Sequence, residues 1–466
     1  MQRTTRTFSI ESVSRLNEKL LRWAQQYETS IWLDSNKHHL DHSNYDNILA
    51  VNEFTSIQTD TVHAFEKLKE YQSITQDYLF GYLSYDVKNA TENLTSSNVD
   101  DLGFSELFFF QPQKILFIKN NQIEFQYLAM VEDEIDTDFK AICNIVLKQQ
   151  RIDISEKNIE IKSRISKKDY HLKVDKILKH IHKGNIYEAN FCQEFYAENT
   201  DINPLHIYED LNTISEAPFA TFLKIDHQYL LCASPERYLK KEGAKIISQP
   251  IKGTAKRFKN RLEDQKTAAA LTVDIKERSE NIMIVDLVRN DLSKSAKKGS
   301  VRVEELCKVS SFKQVHQMIS TVVSELKDDV HLVDVIKDTF PMGSMTGAPK
   351  ISAMKIIEDL EETKRGLYSG TVGYFTPNGD FDFNVVIRSI LYDAVKKYLS
   401  FSVGSAITAK SSPEKEYEEC LLKANAMQFV LTNSIKLLFQ IKKKNLKLFT
   451  RVLLKKQQSN SYSIHF

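Results

Sequence analysis

The chain has 466 residues, a formal net charge of +1, 42% hydrophobic and 27% charged residues. That is the balance of a globular protein able to bury one large core or two smaller ones. The near-neutral charge excludes the strong field of a nucleic-acid or anionic-membrane binder, so neither is expected as a partner.

The opening segment MQRTTRTFSIES lacks the apolar core of a signal peptide, and no uninterrupted apolar stretch approaches membrane-spanning length. A cytoplasmic location is expected. The region 1–150 mixes short helical and strand-like segments, with IWLDS (31–35) and YLFGYLSYD (78–86) reading as strands and TENLTSSNVDDLG (91–103) as a polar surface loop. The charged stretch 151–169 reads as a boundary, followed by an amphipathic helix from about Tyr170 to Lys183. Period-2 patterns then mark strands in FATFLKI (219–225), QYLLCAS (228–234) and KIISQPIKG (245–253). One long helix is expected from about Arg261 to Asp291. Farther on, GLYSGTVGYFTPNGDFDFNVVIRSILYD carries a hairpin signal with PNGD at the turn, YLSFSVGSAIT reads as a strand, and PEKEYEECLLKANAMQFVL as a helix. Strands flanked by long helices without strict βαβ alternation indicate the α+β class. The tail 436–466 holds eight Lys or Arg and no Asp or Glu, and reads as a solvated terminus.

Cys143, Cys192, Cys232, Cys307 and Cys420 are scattered without a CxxC pair, against both a disulfide framework and a zinc site. The carboxylates are more informative. Glu277 and Glu280 lie three apart on one expected helix, and Glu416 and Glu419 repeat the spacing on another, with Lys423 beyond. Two such pairs could supply the oxygen ligands that Mg²⁺ prefers, although an ExxE pair by itself more often marks a solvated helix face. Glycine-rich turns accompany them. PMGSMTGAPK (341–350) sets Gly343, Ser344, Thr346 and Gly347 just before an expected helix, as an anion-binding helix N-terminus requires, and VGSAIT (403–408) is a second candidate.

The stretches ASPERYL, QPIKGTAKR, KERSENIMIVDLVRND, VHQMIST, PMGSMTGAPK, RGLYSGTVGYF, NVVIRS and EKEYEECLLKANAM follow one another as they do in the chorismate-utilising enzymes. The chain resembles that family, which includes the component I subunits of anthranilate and aminodeoxychorismate synthases and the isochorismate and salicylate synthases. The resemblance implies an α/β sandwich of two antiparallel sheets with outer helices, with an N-terminal region over 1–150, a chorismate-binding catalytic region over 165–430 and the basic tail over 436–466.

It also implies roles. Glu280 and Glu416 would ligate Mg²⁺ directly, with Glu277 and Glu419 holding it through water. Glu236 would be the acid that protonates the leaving C4 hydroxyl, a task needing a raised pKa. Arg388 and Tyr368 would bind the enolpyruvyl carboxylate, Lys423 and the amides near Gly404 another anionic group, and Gly253, Thr254, Ser344 and Thr346 would line the substrate site. His316 resembles the family's active-site histidine, although a lone histidine is more often a satisfied core residue. Asp34, Ser35, Pro218 and Phe219 loosely match a tryptophan pocket; ordinary packing explains them equally well.

Two positions separate the branches. The water-adding enzymes carry a lysine base where this chain has Glu188; glutamine is common there in the aminating enzymes, so Glu188 departs from both. Lys252 in PIKGT resembles the nucleophile of the aminodeoxychorismate synthase branch, where anthranilate synthases usually read PIAGT. The resemblance therefore implies amination of chorismate at C4 through a covalent lysine intermediate, for 4-aminobenzoate and folate synthesis. The alternatives are an anthranilate synthase component I and a non-catalytic chorismate-binding regulatory protein. No GxCxG elbow for a glutaminase is present, so a glutamine amidotransferase subunit is the expected source of ammonia. For nucleophilic attack Lys252 is expected to be held as the neutral amine by nearby Mg²⁺ and Lys423 and by desolvation in a closed pocket.

Overall fold

The computed structural model describes residues 2–432 except 12, 14, 39–44, 93, 148–158 and 314. The basic tail lies outside the described residues, as do residues 151–158 of the expected boundary at 151–169.

Every strand ladder is antiparallel, and the ladders form two sheets. The first runs Arg3–Ser9, Gln122–Leu128, Leu107–Lys119, Asn47–Thr59, Thr29–Asp34, Phe219–Ile225, Gln228–Ser234, Ser389–Asp393, Tyr398–Thr408, Glu188–Ala197. The second starts from residues 107–110 and continues through Leu79–Leu83, Thr371–Phe375, Phe381–Asn384, Arg237–Glu242, Lys245–Gln249 and Val315–Glu325. Arg302–Ser311 and Ile251–Lys256 both flank this last strand.

Two long strands, Asn47–Thr59 and Leu107–Lys119, serve both sheets. They change sheets at a register shift between Glu53 and Thr55, where Asn52 has φ 64° and Pro112 stands opposite Glu53. Proline offers no N–H to the ladder, which suits the point where pairing is interrupted.

The sheets face each other across apolar residues from both, including Ile31, Ala50, Leu223 and Leu230 on one side and Phe80, Leu239, Phe375 and Phe383 on the other. A second apolar cluster lies under the helices Lys167–His182, Pro204–Ser215 and Lys350–Leu360, which pack on the first sheet. Helix Ile275–Ser295 packs on the second sheet. The sandwich implied by the resemblance is therefore observed. Residues 1–150 are woven into the same sheets as the catalytic region: Asp34 pairs with Ala220, and Gly81 with Gly373.

The strands read in IWLDS, FATFLKI and QYLLCAS, the PNGD hairpin and the helix after residue 166 are present. Three expectations are corrected. The long helix is two, Arg261–Val273 and Ile275–Ser295, broken at Asp274, whose extended backbone (φ −64°, ψ 116°) ends one while its carboxylate accepts the Glu277 N–H and caps the other. PMGSMTGAPK does not place its small residues on a helix N-terminus. Gly343–Met345 forms a 3₁₀ turn and Gly347–Ala348 a short strand, which separate those residues from the expected helix, observed from Lys350. VGSAIT forms no turn either: it lies within the strand Tyr398–Thr408, whose described ladder over 401–408 is with Glu188–Ala197 along one edge.

Candidate active site

Three segments meet around Lys252. It lies on Ile251–Lys256, Glu188 opens the strand Glu188–Ala197, and Glu236 follows Gln228–Ser234. Asn281 on helix Ile275–Ser295 donates to both the Lys252 and Met318 carbonyls at 3.2 Å, fastening that helix to the sheet. Gly253 permits the close approach. Its φ is +95°, and a Cβ there would lie 3.2 Å from Glu277 Oε2 and from Met318 Cβ.

Glu236 is buried, and its neighbour Arg237 pairs with Asp382 at 2.9 Å instead of neutralising it. Burial pushes the Glu236 carboxyl up to about 7, while Ser344, Lys252 and the Ile251 amide pull it partly back. The Ser344 hydroxyl faces the carboxyl without an aligned hydrogen bond. Glu236 thus holds a proton near neutral pH, as a general acid requires.

Lys252 Nζ lies 3.0 Å from Glu188 Oε1. Burial lowers the lysine pKa, but Glu188, then Glu280 and Glu419, outweigh it and raise the value above normal. The neutral amine is expected of the closed, metal-loaded site; the protein's own carboxylates by themselves favour the ammonium.

Glu277 and Glu280 occupy the first turns of their helix, and Glu416 and Glu419 those of the helix over 413–432. Lys276 interacts electrostatically with all four. Burial pushes Glu280 up to about 7, against the pull of Lys252 and Lys276, and its Oε1 is buried without a hydrogen-bond partner among the described residues. No three of these side chains are drawn onto one point among the described residues, as expected of carboxylates that repel one another until a cation neutralises them. Hard oxygen donors, excess negative charge and a buried Glu280 oxygen that has no hydrogen bond, with Lys276 Nζ 3.7 Å away, fit a divalent cation such as Mg²⁺.

Arg388 is half-buried, with φ 52°. Its guanidinium makes no hydrogen bond or ion pair with any described residue, and burial alone lowers its pKa. An unpaired cation in such a setting calls for an anionic ligand. Tyr368 is buried, with its hydroxyl accepting from Cys192 Sγ at 3.8 Å.

Other expected contributors are engaged elsewhere. His316 has Nδ1 2.8 Å from Ser311 Oγ and Nε2 3.1 Å from Asp264 Oδ1. Lys423 donates to the Gly404 carbonyl at 2.8 Å and pairs with Glu419 at 2.7 Å. Gly404 itself allows two strands to approach, since a Cβ there would sit 2.6 Å from Cys192 Sγ. The Thr346 hydroxyl donates back into its own turn, and Thr254 is exposed. Asp34, Ser35, Pro218 and Phe219 do come together, in a separate cleft of about 530 Å³, part of it open to solvent, that also includes Arg237 and Asp382. Sequence reasoning missed Lys276 and Asn281, although both sit inside the KERSEN stretch it used.

Residues 12–429 match the chorismate binding enzyme family. The chain belongs to the chorismate-binding enzyme family. Aminodeoxychorismate synthase component 1 of Bacillus subtilis is 31% identical over 388 residues, covering 81% of this chain and 80% of the relative. Anthranilate synthase component 1 of Acetivibrio thermocellus is 33% identical over 368 residues, covering 74% and 73%. The fold of this chorismate-binding enzyme is that of anthranilate synthase component I from Streptococcus pneumoniae, with TM-score 0.72, 24% identity and coverage of 84% of this chain and 94% of that one. It is a chorismate-utilising enzyme, and among its described residues no helix is long and apolar enough to cross a membrane.

Proposed function

We propose that this enzyme aminates chorismate at C4 with ammonia, giving 4-amino-4-deoxychorismate for 4-aminobenzoate and folate synthesis. The observation that carries the reading is a lysine, Lys252, within electrostatic reach of a buried carboxylic acid, Glu236, whose pKa is pushed up to about 7. Lys252 attacks C2 of the ring while Glu236 protonates the C4 hydroxyl, the ring double bonds shift, and water leaves. Ammonia then adds at C4 and releases the lysine. Arg388 and Tyr368 hold the enolpyruvyl carboxylate, and Ser344 steadies the Glu236 carboxyl. Glu280 and Glu416, with Glu277 and Glu419 through water, would hold Mg²⁺, which supplies positive charge against the ring carboxylate.

An external source of ammonia is part of the reading. Burial pushes the Cys192 and Cys232 thiols up to about 12 and raises Cys307 and Cys420 as well, so none of these is a ready thiolate for glutamine hydrolysis. A glutamine amidotransferase subunit would deliver it, and the isolated chain would use ammonium salts but not glutamine. The cleft holding Asp34 and Phe219 would take a free amino acid such as tryptophan, with the Phe219 ring, covered by Arg237 at 4.9 Å, as its aromatic wall.

The second reading, amination at C2 to anthranilate, is favoured by the anthranilate synthase relative of similar identity. Incubation of the purified chain with chorismate, Mg²⁺ and an ammonium salt at alkaline pH, followed by chromatographic identification of the product, separates the two. Aminodeoxychorismate supports C4 amination and anthranilate overturns it.

A further inference from the structure

Glu188 is 1% exposed, and its main chain is fixed from both sides, opposite Thr408 in one ladder and Ala348 in the other. Neither of its carboxylate oxygens makes an aligned hydrogen bond with a described residue. Its recorded ionic partner is Lys252, off the hydrogen-bond axis at 3.0 Å. A rigidly placed, buried carboxylate with open lone pairs against a single ammonium is costly as structure, and it is well placed to accept a proton.

We propose that Glu188 is the base that takes a proton from the Lys252 ammonium, an inference that rests on Lys252 attacking chorismate. The charged groups facing Lys252 are Glu188, Glu236, Glu277, Glu280 and Glu419, with Lys276 beyond them. Glu236 donates a proton in the same step and cannot accept one. Glu277, Glu280 and Glu419 belong to the metal site. Glu188 remains.

Water leaving the closed site favours the transfer, because a buried ion pair loses hydration on both sides and moving one proton across the contact cancels both charges. A cation at Glu280 and Glu419 acts in the same direction by removing negative charge that holds the lysine protonated.

The steps balance. An Nζ–H bond breaks as an O–H bond forms on Glu188. The freed Nζ lone pair bonds to C2, the C4–O bond breaks, and the Glu236 proton leaves with the hydroxyl as water. When ammonia bonds to C4, the C2–Nζ bond breaks and returns a neutral amine. That amine recovers its proton from Glu188, and the C4 ammonium gives one to Glu236.

The test uses the full chain with chorismate and Mg²⁺ but no ammonia, from pH 5 to pH 7, below the fall set by loss of the Glu236 proton, quenched at intervals, with the adduct on the Lys252 peptide quantified by mass spectrometry. Wild-type adduct formation is expected to vary little with pH. In Glu188→Gln it should be about 100-fold slower at neutral pH, the usual scale of general-base assistance, and rise about tenfold per pH unit, since only amine deprotonated by solvent reacts. Glu188→Asp, which keeps the carboxylate, should be slower without that steep dependence, and it keeps the test decisive if Glu188→Gln does not fold. Superimposable profiles for wild type and Glu188→Gln, or a steep profile in Glu188→Asp, would overturn the assignment of the base while leaving the lysine nucleophile standing. A wild type that forms no adduct and yields anthranilate with ammonia removes the C4 reading itself, and this inference with it.

Discussion

Glu236 and Arg237 are adjacent in sequence, yet the Arg237 guanidinium turns to Asp382, gripping it through Nε–Oδ1 at 2.9 Å and Nη2–Oδ2 at 3.1 Å. The acid is left buried, and its pKa is pushed up to about 7 from an ordinary value of 4.5.

The raised pKa has a sign in both catalysis and stability. With free ammonia held saturating, turnover should fall about tenfold per pH unit above 7 as Glu236 loses its proton. Between pH 4.5 and 7 the folded state binds the extra proton, so this group's contribution to stability declines as pH rises through that window. Glu236→Gln removes the decline. It should match wild type in melting experiments at pH 4, exceed it by up to about 3 kcal/mol at pH 8, and turn over about 100-fold or more slowly. Equal pH dependence of melting in both proteins would contradict the raised pKa.

Mg²⁺ should raise the wild-type melting temperature, since a ligand that binds only the folded state stabilises it by mass action. Glu280→Gln and Glu416→Gln should stay folded, lose that shift and lose turnover. Retention of the Mg²⁺ shift in either variant would remove that residue from the ligand set.

Gly253→Ala tests the approach of the metal helix to the lysine strand. At φ +95°, with Glu277 and Met318 3.2 Å from the new Cβ, it should cost about 1–3 kcal/mol and weaken the Mg²⁺-dependent shift. Wild-type values for both, from denaturant titration and thermal melts, would contradict the packing described.

Arg388→Lys removes the planar fork while keeping a charge. Because the guanidinium has no partner among the described residues, melting should be unchanged or slightly raised, while KM for chorismate rises roughly 10- to 100-fold, the range for a charged hydrogen bond. A fall in stability with KM unchanged would make Arg388 a structural residue.

The sequence by itself determined the strands of alternating polarity, the PNGD hairpin, the carboxylate pairs at helical spacing and the ordered motifs that identify the family. These are local properties, set by neighbours a few residues apart. It misread the helix at Asp274, where a carboxylate caps the chain instead of continuing it. The charge on Lys252 is set by groups far from it in sequence. Lys252 and Glu188 are 64 residues apart and meet at 3.0 Å only when their strands are in place. The cleft of Asp34 and Phe219 likewise exists only through the register that sets Asp34 against Ala220. Protonation depends on burial and on charges gathered through space. Residue chemistry was therefore legible along the chain, whereas the proton on Glu236, the proton on Lys252 and the partner that could remove it were decided by the tertiary structure.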